Sequence, residues 1–210
     1  MKGLFIKDLF VLKKTARVFI ALTGLYLLMA IFLHTDFGVL ISFIMGMLTI
    51  TSFAYDEQAK WDAYALTMPV SKRDMVLSKY VLAVILGIAG GLMGILLSLA
   101  AAVGQGAVNI ITILQNTGIA VCATYVFSSI ALPLVYKLGS EKSRMVLMLC
   151  YAAPILLGTI IINMLEDASI TMPQLLSAAR IAAIILPFFT VIALVLSYRL
   201  SLSIFTKKDI

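Results

Sequence analysis

Residues 80–103 read YVLAVILGIAGGLMGILLSLAAAV and contain no charged side chain. As an α-helix, a run of this length crosses the roughly 30 Å hydrocarbon core of a bilayer. Similar runs recur along the 210 residues, of which 62% are hydrophobic and only 12% are charged, whereas soluble domains carry about 25% charged residues. The sequence therefore predicts an all-α integral membrane protein, with residues 1–210 forming a single transmembrane domain.

The apolar runs predict six transmembrane helices joined by short connections. Fifteen of the sixteen basic residues fall in the N-terminal arm, the second and fourth connections and the C-terminal tail. The other three connections hold none, and Arg180 lies at the edge of the last of them. Because cytoplasmic loops are enriched in Lys and Arg, we expect both termini in the cytoplasm. The predicted spans are 18–34, 37–54, 80–103, 109–136, 145–165 and 180–204.

Two further helices are predicted outside the spans. Residues 1–17 mix lysines with large apolar residues, a composition typical of an amphipathic helix lying in the membrane interface. The alternative is that this arm simply extends the first span. In residues 166–179, Thr171 can cap a helix with Pro173 in its first turn. We expect a short exterior or re-entrant helix there, and the alternative is an unstructured loop.

Several kinds of chemistry lack the residues that they need. The predicted span interiors contain no charged residue, which argues against a proton or sodium relay. The single histidine, His34, lies in an exterior turn, and Cys122 and Cys150 lie in apolar runs as expected of free thiols. No metal-ligand spacing, catalytic triad or phosphate-binding loop is present. We therefore expect no catalytic residue, metal or cofactor in this chain, and the basic residues are assigned to the bilayer rather than to nucleic acid.

Two patterns inside the spans predict close helix packing or a substrate path. Four glycines of the third span recur at intervals of four residues, which lets a neighbouring helix approach closely, either within the chain or across a dimer. Hydroxyl residues in the second and fourth spans either line a polar cavity or hydrogen-bond to their own helices. The glycines are Gly87, Gly90, Gly91 and Gly94, and the hydroxyl residues are Ser42, Thr49, Thr117, Thr124 and Ser128.

The second connection, residues 55–74, is far more polar than the runs on either side. It holds three Asp, one Glu, two Lys, one Arg and the only tryptophan. A helix from Asp56 to Met68 would place Trp61 and Tyr64 on one face. The connection therefore predicts a short amphipathic helix on the cytoplasmic side, and the alternative is an interfacial turn resting on lipid headgroups.

The end of this connection predicts a break followed by a new helix. Pro69 removes a backbone donor and disfavours helix in the residue before it. Ser71 followed by Asp74 resembles a capping box. A helix is therefore expected to begin at this point and to continue into the third span.

Residues 56–80, DEQAKWDAYALTMPVSKRDMVLSKY, resemble the small ABC-2-type permeases of bacterial ABC exporters. An acidic pair, a W-D-x-Y group, a P-V-S-[KR] turn and S-K-Y at the start of a span carry the resemblance. Chain length and the six predicted spans extend it to the whole chain. The resemblance implies a type V exporter-like fold with an elbow helix at 1–17, a cytoplasmic coupling helix within 55–74 and a re-entrant element at 166–179.

The resemblance also implies a function. The chain would be the permease of an ATP-driven exporter in the bacterial plasma membrane, paired with a second copy or a paralogue. Two separate ATPase subunits would bind ATP and Mg²⁺. The substrate would be hydrophobic or amphipathic, such as a drug, a lipid or a peptide toxin, because the chain is similar to permeases of phenol-soluble-modulin exporters. The residues implied in ATPase coupling are Asp56, Glu57, Lys60, Trp61, Asp62, Tyr64, Pro69, Ser71 and Arg73.

Two other functions remain compatible with the sequence. One is a scaffold or sensor subunit that does not transport. The other is an interfacial enzyme acting on lipids, which would need convergent Asp, His or Ser side chains. Residues 55–74 hold the only candidate cluster of that kind.

Overall fold

The computed structural model of the chain describes residues 2–33, 35–65, 67, 71–106, 108–139, 142–143 and 172–207. Every element assigned in these ranges is an α-helix. The helices are α1 (Lys2–Leu33), α2 (Gly38–Gln58), α3 (Trp61–Ala65), α4 (Lys72–Gln105), α5 (Ile110–Leu138) and α6 (Met172–Lys207).

Four described helices are long and apolar enough to cross a membrane, and the bent helix α1 makes a fifth if its two parts count as one span. Three of the four cover the predicted spans 37–54, 80–103 and 109–136 to within one residue, and the fourth overlaps the predicted span 180–204. The predicted span 145–165 lies outside the described residues. The four helices are Gly38–Gln58, Lys72–Gln105, Ile110–Leu138 and Ile185–Lys207.

Helix α1 changes direction by 64° between Ile6–Lys13 and Arg17–Leu33. It is nevertheless one helix from Lys2 to Leu33. The arm is therefore continuous with the helix of the predicted first span and meets it at an angle, and its position in the membrane interface stays a prediction. At the other end of the chain, the described part of the predicted exterior element, residues 172–179, forms the first turns of α6, and residues 166–171 lie outside the described ranges.

Helix α4 is the central element of the described bundle and packs against α1, α2, α5 and α6. The main buried cluster lies where α2 and α5 end and α4 begins, and all six helices contribute to it. This end of the bundle thus joins every described helix. The cluster consists of Leu4, Ile50, Phe53, Ala65, Met75, Val76, Tyr80, Ala83, Ala131, Leu132, Val135, Tyr136 and Phe205.

The glycines of α4 bring two neighbouring helices close to it. Gly90 and Gly94 face α2, and Gly87 and Gly91 face α5. A Cβ atom at Gly90 would stand only 2.8 Å from the carbonyl oxygen of Ser42, closer than ordinary van der Waals contact. All four glycines therefore serve helix packing within the chain.

Candidate functional site

Four charged side chains from three helices form a buried charge cluster at the end of the bundle where α2 ends. Lys79 Nζ of α4 lies 2.6 Å from Asp56 Oδ2 of α2 and 2.8 Å from Asp8 Oδ1 of α1. Lys7 Nζ of α1 lies 2.6 Å from Asp56 Oδ1 and 3.0 Å from Asp8 Oδ1. Two positive and two negative charges balance in the charge cluster. This balance is essential because an uncompensated buried charge is strongly destabilising.

Asp8 is the most deeply buried member of the charge cluster and is 0% exposed. Its Oδ1 atom accepts hydrogen bonds from Lys79 at 2.8 Å and from the Ser52 hydroxyl at 3.3 Å. Its Oδ2 atom accepts none from the described residues. All four charged residues line a cavity of about 20 Å³, and a water molecule needs roughly 10–15 Å³ of such space. The charge cluster therefore has one carboxylate oxygen, Asp8 Oδ2, that accepts no hydrogen bond from the described residues, and a cavity large enough for one water molecule.

Local helix geometry explains how these side chains meet. Ser52 and Asp56 are four residues apart on α2 and so lie on the same face of that helix. Lys79 precedes the apolar run of α4 by one residue, at the same end of the bundle. The pairing of Asp56 with Lys79 was not predicted from the sequence. The sequence did contain a signal for it: an acidic residue, Asp56, follows one apolar run, and a basic residue, Lys79, precedes the next.

The prediction of an uninterrupted helix from Asp56 to Met68 is wrong. Helix α2 ends at Gln58, and the five-residue helix α3 follows after a two-residue turn. Lys60 in that turn has a φ of 48°, the one positive φ of a non-glycine residue in the described ranges. This left-handed conformation cannot continue a right-handed helix. The break gives α3 a direction independent of α2.

Trp61 connects α3 to the charge cluster. Lys7 Nζ lies 4.4 Å from the centroid of the Trp61 ring, within the distance of a cation–π contact. The Tyr64 ring packs beside Trp61, with 5.5 Å between the ring centroids, yet Tyr64 is 56% exposed. Helix α3 thus carries one aromatic residue that contacts the interior and one that faces outward.

The remaining predicted coupling residues divide by exposure. Asp56 is only 7% exposed and its carboxylate lies in the charge cluster, so it faces the bundle rather than the surface. The side chain of Asp62 and all of Pro69 lie outside what the structure describes. The exposed members of the predicted set are Glu57, Lys60, Tyr64, Ser71 and Arg73.

Ser71 caps the N-terminus of α4, as the sequence pattern predicts. Its backbone is extended, and its Oγ accepts a hydrogen bond from the Asp74 backbone N–H at 3.1 Å. This bond satisfies one of the donors left free in the first turn of the helix. The cap fixes where the chain turns from the connection into α4.

We expect Ser71→Ala to lower the free energy of unfolding by about 1 kcal/mol, because the Asp74 N–H loses its acceptor. Unfolding in detergent micelles measures the difference from the wild type. Ser71→Asp is the matched control, since its carboxylate keeps an acceptor at the cap and should retain most of the stability. Equal stability of Ser71→Ala and the wild type would show that the cap contributes nothing.

The five hydroxyl residues predicted for a substrate path are all buried. Ser42 donates to a backbone carbonyl of α4 at 3.0 Å. Thr124 and Ser128 donate to carbonyls four residues earlier in α5, at 2.8 and 2.9 Å. The Oγ1 atoms of Thr49 and Thr117 have no hydrogen-bond partner among the described residues. Three of the five hydroxyls therefore hydrogen-bond to helix backbone in this conformation. A substrate path along the five residues stays a prediction.

A larger groove lies in the bend of α1, between that helix and helices α2 and α4. Its volume is about 670 Å³, within the range of roughly 300–1,000 Å³ typical of ligand pockets. Lys13 and Thr23 are the polar members of an otherwise apolar lining that includes Phe10, Phe19 and Met93. The groove thus offers a hydrophobic concavity next to a single basic side chain.

Comparison with known protein families gives a match over nearly the whole chain. The family model described as ABC-2 family transporter protein matches residues 3–206. The match takes in the charge cluster, α3 and all four long apolar helices. It confirms the family resemblance that residues 56–80 carry in the sequence. No match is found among curated proteins.

Proposed function

Because the chain belongs to the ABC-2 family of transporter proteins, we propose that it is the transmembrane permease subunit of an ATP-driven exporter. ATP would be bound and hydrolysed by two separate ATPase subunits. The observation that carries the proposal is the placement of α3. This short helix presents an exposed aromatic side chain at the end of the bundle where all six described helices meet.

We assign α3 and its flanking residues to the contact with the ATPase. Tyr64 provides a half-exposed ring beside the exposed charges of Glu57, Lys60 and Arg73. Tyrosine and arginine are enriched in the residues that dominate binding energy at protein interfaces. Trp61, on the inner side of α3, joins this surface to the charge cluster. A push on α3 would therefore reach the ends of α2 and α4.

Tyr64→Ala tests this assignment in the full chain reconstituted with the ATPase encoded beside it. We expect roughly tenfold weaker binding of the ATPase, because loss of an interface aromatic costs about 1–2 kcal/mol, and a matching loss of permease-stimulated ATP hydrolysis. Phe32→Ala is the matched control, since Phe32 is an even more exposed aromatic (76%) at the far end of α1. Unchanged binding and stimulation in Tyr64→Ala would refute the contact.

We propose a hydrophobic or amphipathic substrate, either a peptide toxin, a drug or a lipid, moved out of the cell. The apolar lining of the groove beside α1 supports this class. In α2, α4 and α5, the charged residues lie near one end of the helix, so a polar ion path has no support in these three helices. Efflux of a labelled amphipathic peptide from cells carrying the permease and the ATPase tests the substrate class.

The same export experiment separates the two alternatives. A scaffold or sensor subunit would bind the ATPase without causing export. A lipid-modifying enzyme would change membrane lipids in the absence of the ATPase, but no group of three or more His, Cys, Asp or Glu residues in the described ranges could hold a metal ion. We further propose that both termini are cytoplasmic, on the basis of the basic residues in the termini and in two of the connections. From membership of the ABC-2 family we also propose a homo- or heterodimer in the bacterial plasma membrane.

A further inference from the structure

Within the charge cluster, Lys7 joins α1 to α2, and it also contacts α3. Lys7 Nζ contacts Asp56 at 2.6 Å, Asp8 at 3.0 Å and the Trp61 ring at 4.4 Å. Both aspartates are in turn bound by Lys79 of α4. A continuous series of contacts therefore leads from α3 through Lys7 and the two carboxylates to α4.

We propose that Lys7 is a positioning residue that holds Trp61 and passes displacement of α3 to α1 and α4. The transmission role rests on the proposed function, since it takes the ATPase as the source of the movement. The holding role stands on the contacts of Lys7 alone. Neither role is implied by the family match, which assigns no residues.

Helix α3 depends on side-chain contacts for its orientation. It has five residues, far fewer than a helix needs to be stable by itself. Its backbone lies close to that of α2 alone within the described chain, across a turn that contains the left-handed Lys60, and its Ala65 side chain is part of the main buried cluster. The contact between Lys7 and Trp61 adds the link to α1. Removing Lys7 should therefore free the indole ring from one of its neighbours.

The buried charges make Lys7 a stiff connection. Moving its ammonium away from Asp8 and Asp56 would leave two carboxylates with one lysine in a buried site, which is strongly unfavourable. The carboxylates must therefore follow Lys7, and Lys79 must follow them.

Trp61 is the only tryptophan of the chain, so the intrinsic fluorescence of the full chain in lipid nanodiscs reports on this one ring. We expect Lys7→Ala to shift the emission to longer wavelength and to raise the Stern–Volmer constant for acrylamide, because the lysine no longer covers the ring. Lys7→Arg keeps the charge and can stack on the ring, so it should resemble the wild type. Lys13→Ala removes an exposed lysine from the same arm of α1 and should change neither value.

Identical emission and quenching in Lys7→Ala and the wild type would overturn the positioning role, whatever the ATPase does. If Lys7→Ala does not fold, the double variant Lys7→Ala with Asp8→Asn carries the test. This variant removes one charge of each sign and leaves the Asp56–Lys79 pair neutral. The same emission shift is expected in it, and its absence would equally overturn the proposal.

The transmission role is tested with the ATPase present. We expect Lys7→Ala still to bind the ATPase, since Tyr64 remains exposed, but to lose maximal stimulation of ATP hydrolysis. Lys7→Arg should restore that maximum. Full stimulation in Lys7→Ala, despite altered Trp61 fluorescence, would overturn transmission through Lys7. Failure of the wild type itself to bind the ATPase would instead refute the proposed function and leave the fluorescence result standing.

Discussion

Lys79→Met should lower the free energy of unfolding by about 3–5 kcal/mol, the cost of removing one partner from a buried ion pair. Lys79 is 6% exposed, and its Nζ contacts both Asp8 and Asp56 and donates to Ser52 at 2.8 Å. Its removal leaves two buried carboxylates with only Lys7 to neutralise them. Reversible unfolding of the full chain in mixed micelles at neutral pH measures the loss.

Two further variants identify charge balance as the cause. Arg73→Met removes an exposed basic residue from the same helix and should change stability by no more than about 0.5 kcal/mol. Lys79→Met combined with Asp56→Asn removes one charge of each sign and leaves the Lys7–Asp8 pair at 3.0 Å. We expect the double variant to be more stable than Lys79→Met alone. A double variant that loses the sum of both single effects would show that charge balance is not the reason.

Gly90→Ala should lower the free energy of unfolding by about 1–3 kcal/mol, the usual cost of overpacking. The new Cβ would stand 2.8 Å from the Ser42 carbonyl oxygen and 2.9 Å from the Met45 Cβ. Because one of these atoms is backbone, helix α2 as a whole must retreat. The retreat would also strain the 3.0 Å hydrogen bond from Ser42 Oγ to the Gly90 carbonyl.

Gly118→Ala is the matched control for the packing of α4. Gly118 lies inside α5, and no described atom outside its own helix turn lies within 4 Å of a Cβ placed there. Alanine should therefore be neutral, or stabilising by up to about 1 kcal/mol, because it reduces the freedom of the unfolded chain. Both variants are compared in the same micelle unfolding assay. Equal effects at Gly90 and Gly118 would contradict the close approach of α2 and α4.

Features that depend on local sequence were predictable. Long runs without charge identified three helices, whose bounds cover the predicted spans 37–54, 80–103 and 109–136 to within one residue. The cap at Ser71 followed from two residues three positions apart. The spacing of the α4 glycines predicted close packing, but it left open which helix approaches. The partner depends on how α4 is rotated in the bundle, and a repeat along one helix does not encode that rotation.

Contacts between residues that are far apart in the sequence were not predicted. Asp56 was assigned to the ATPase contact, because it belongs to the acidic pair that carries the family resemblance. Its pairing with Lys7 and Lys79 arises from the bend of α1, which returns the arm towards the ends of α2 and α4. The break at Lys60 was equally hidden, because no glycine or proline marks it. The helical spacing of Trp61 and Tyr64 lies wholly after the turn, so it gave no sign of the break.

The charge cluster also sets an order for the biosynthesis of this protein. The ribosome makes Lys7 and Asp8 before Asp56, and Asp56 before Lys79. Until α4 has been made, the arm has too few buried partners for its charges, and the site that receives it does not exist. Interfacial lipid can hold such an arm in the meantime, since its apolar and basic residues suit that environment. The arm therefore completes its docking only after the first four helices have been synthesised, so the first helix to be made is not the first to be fixed in place.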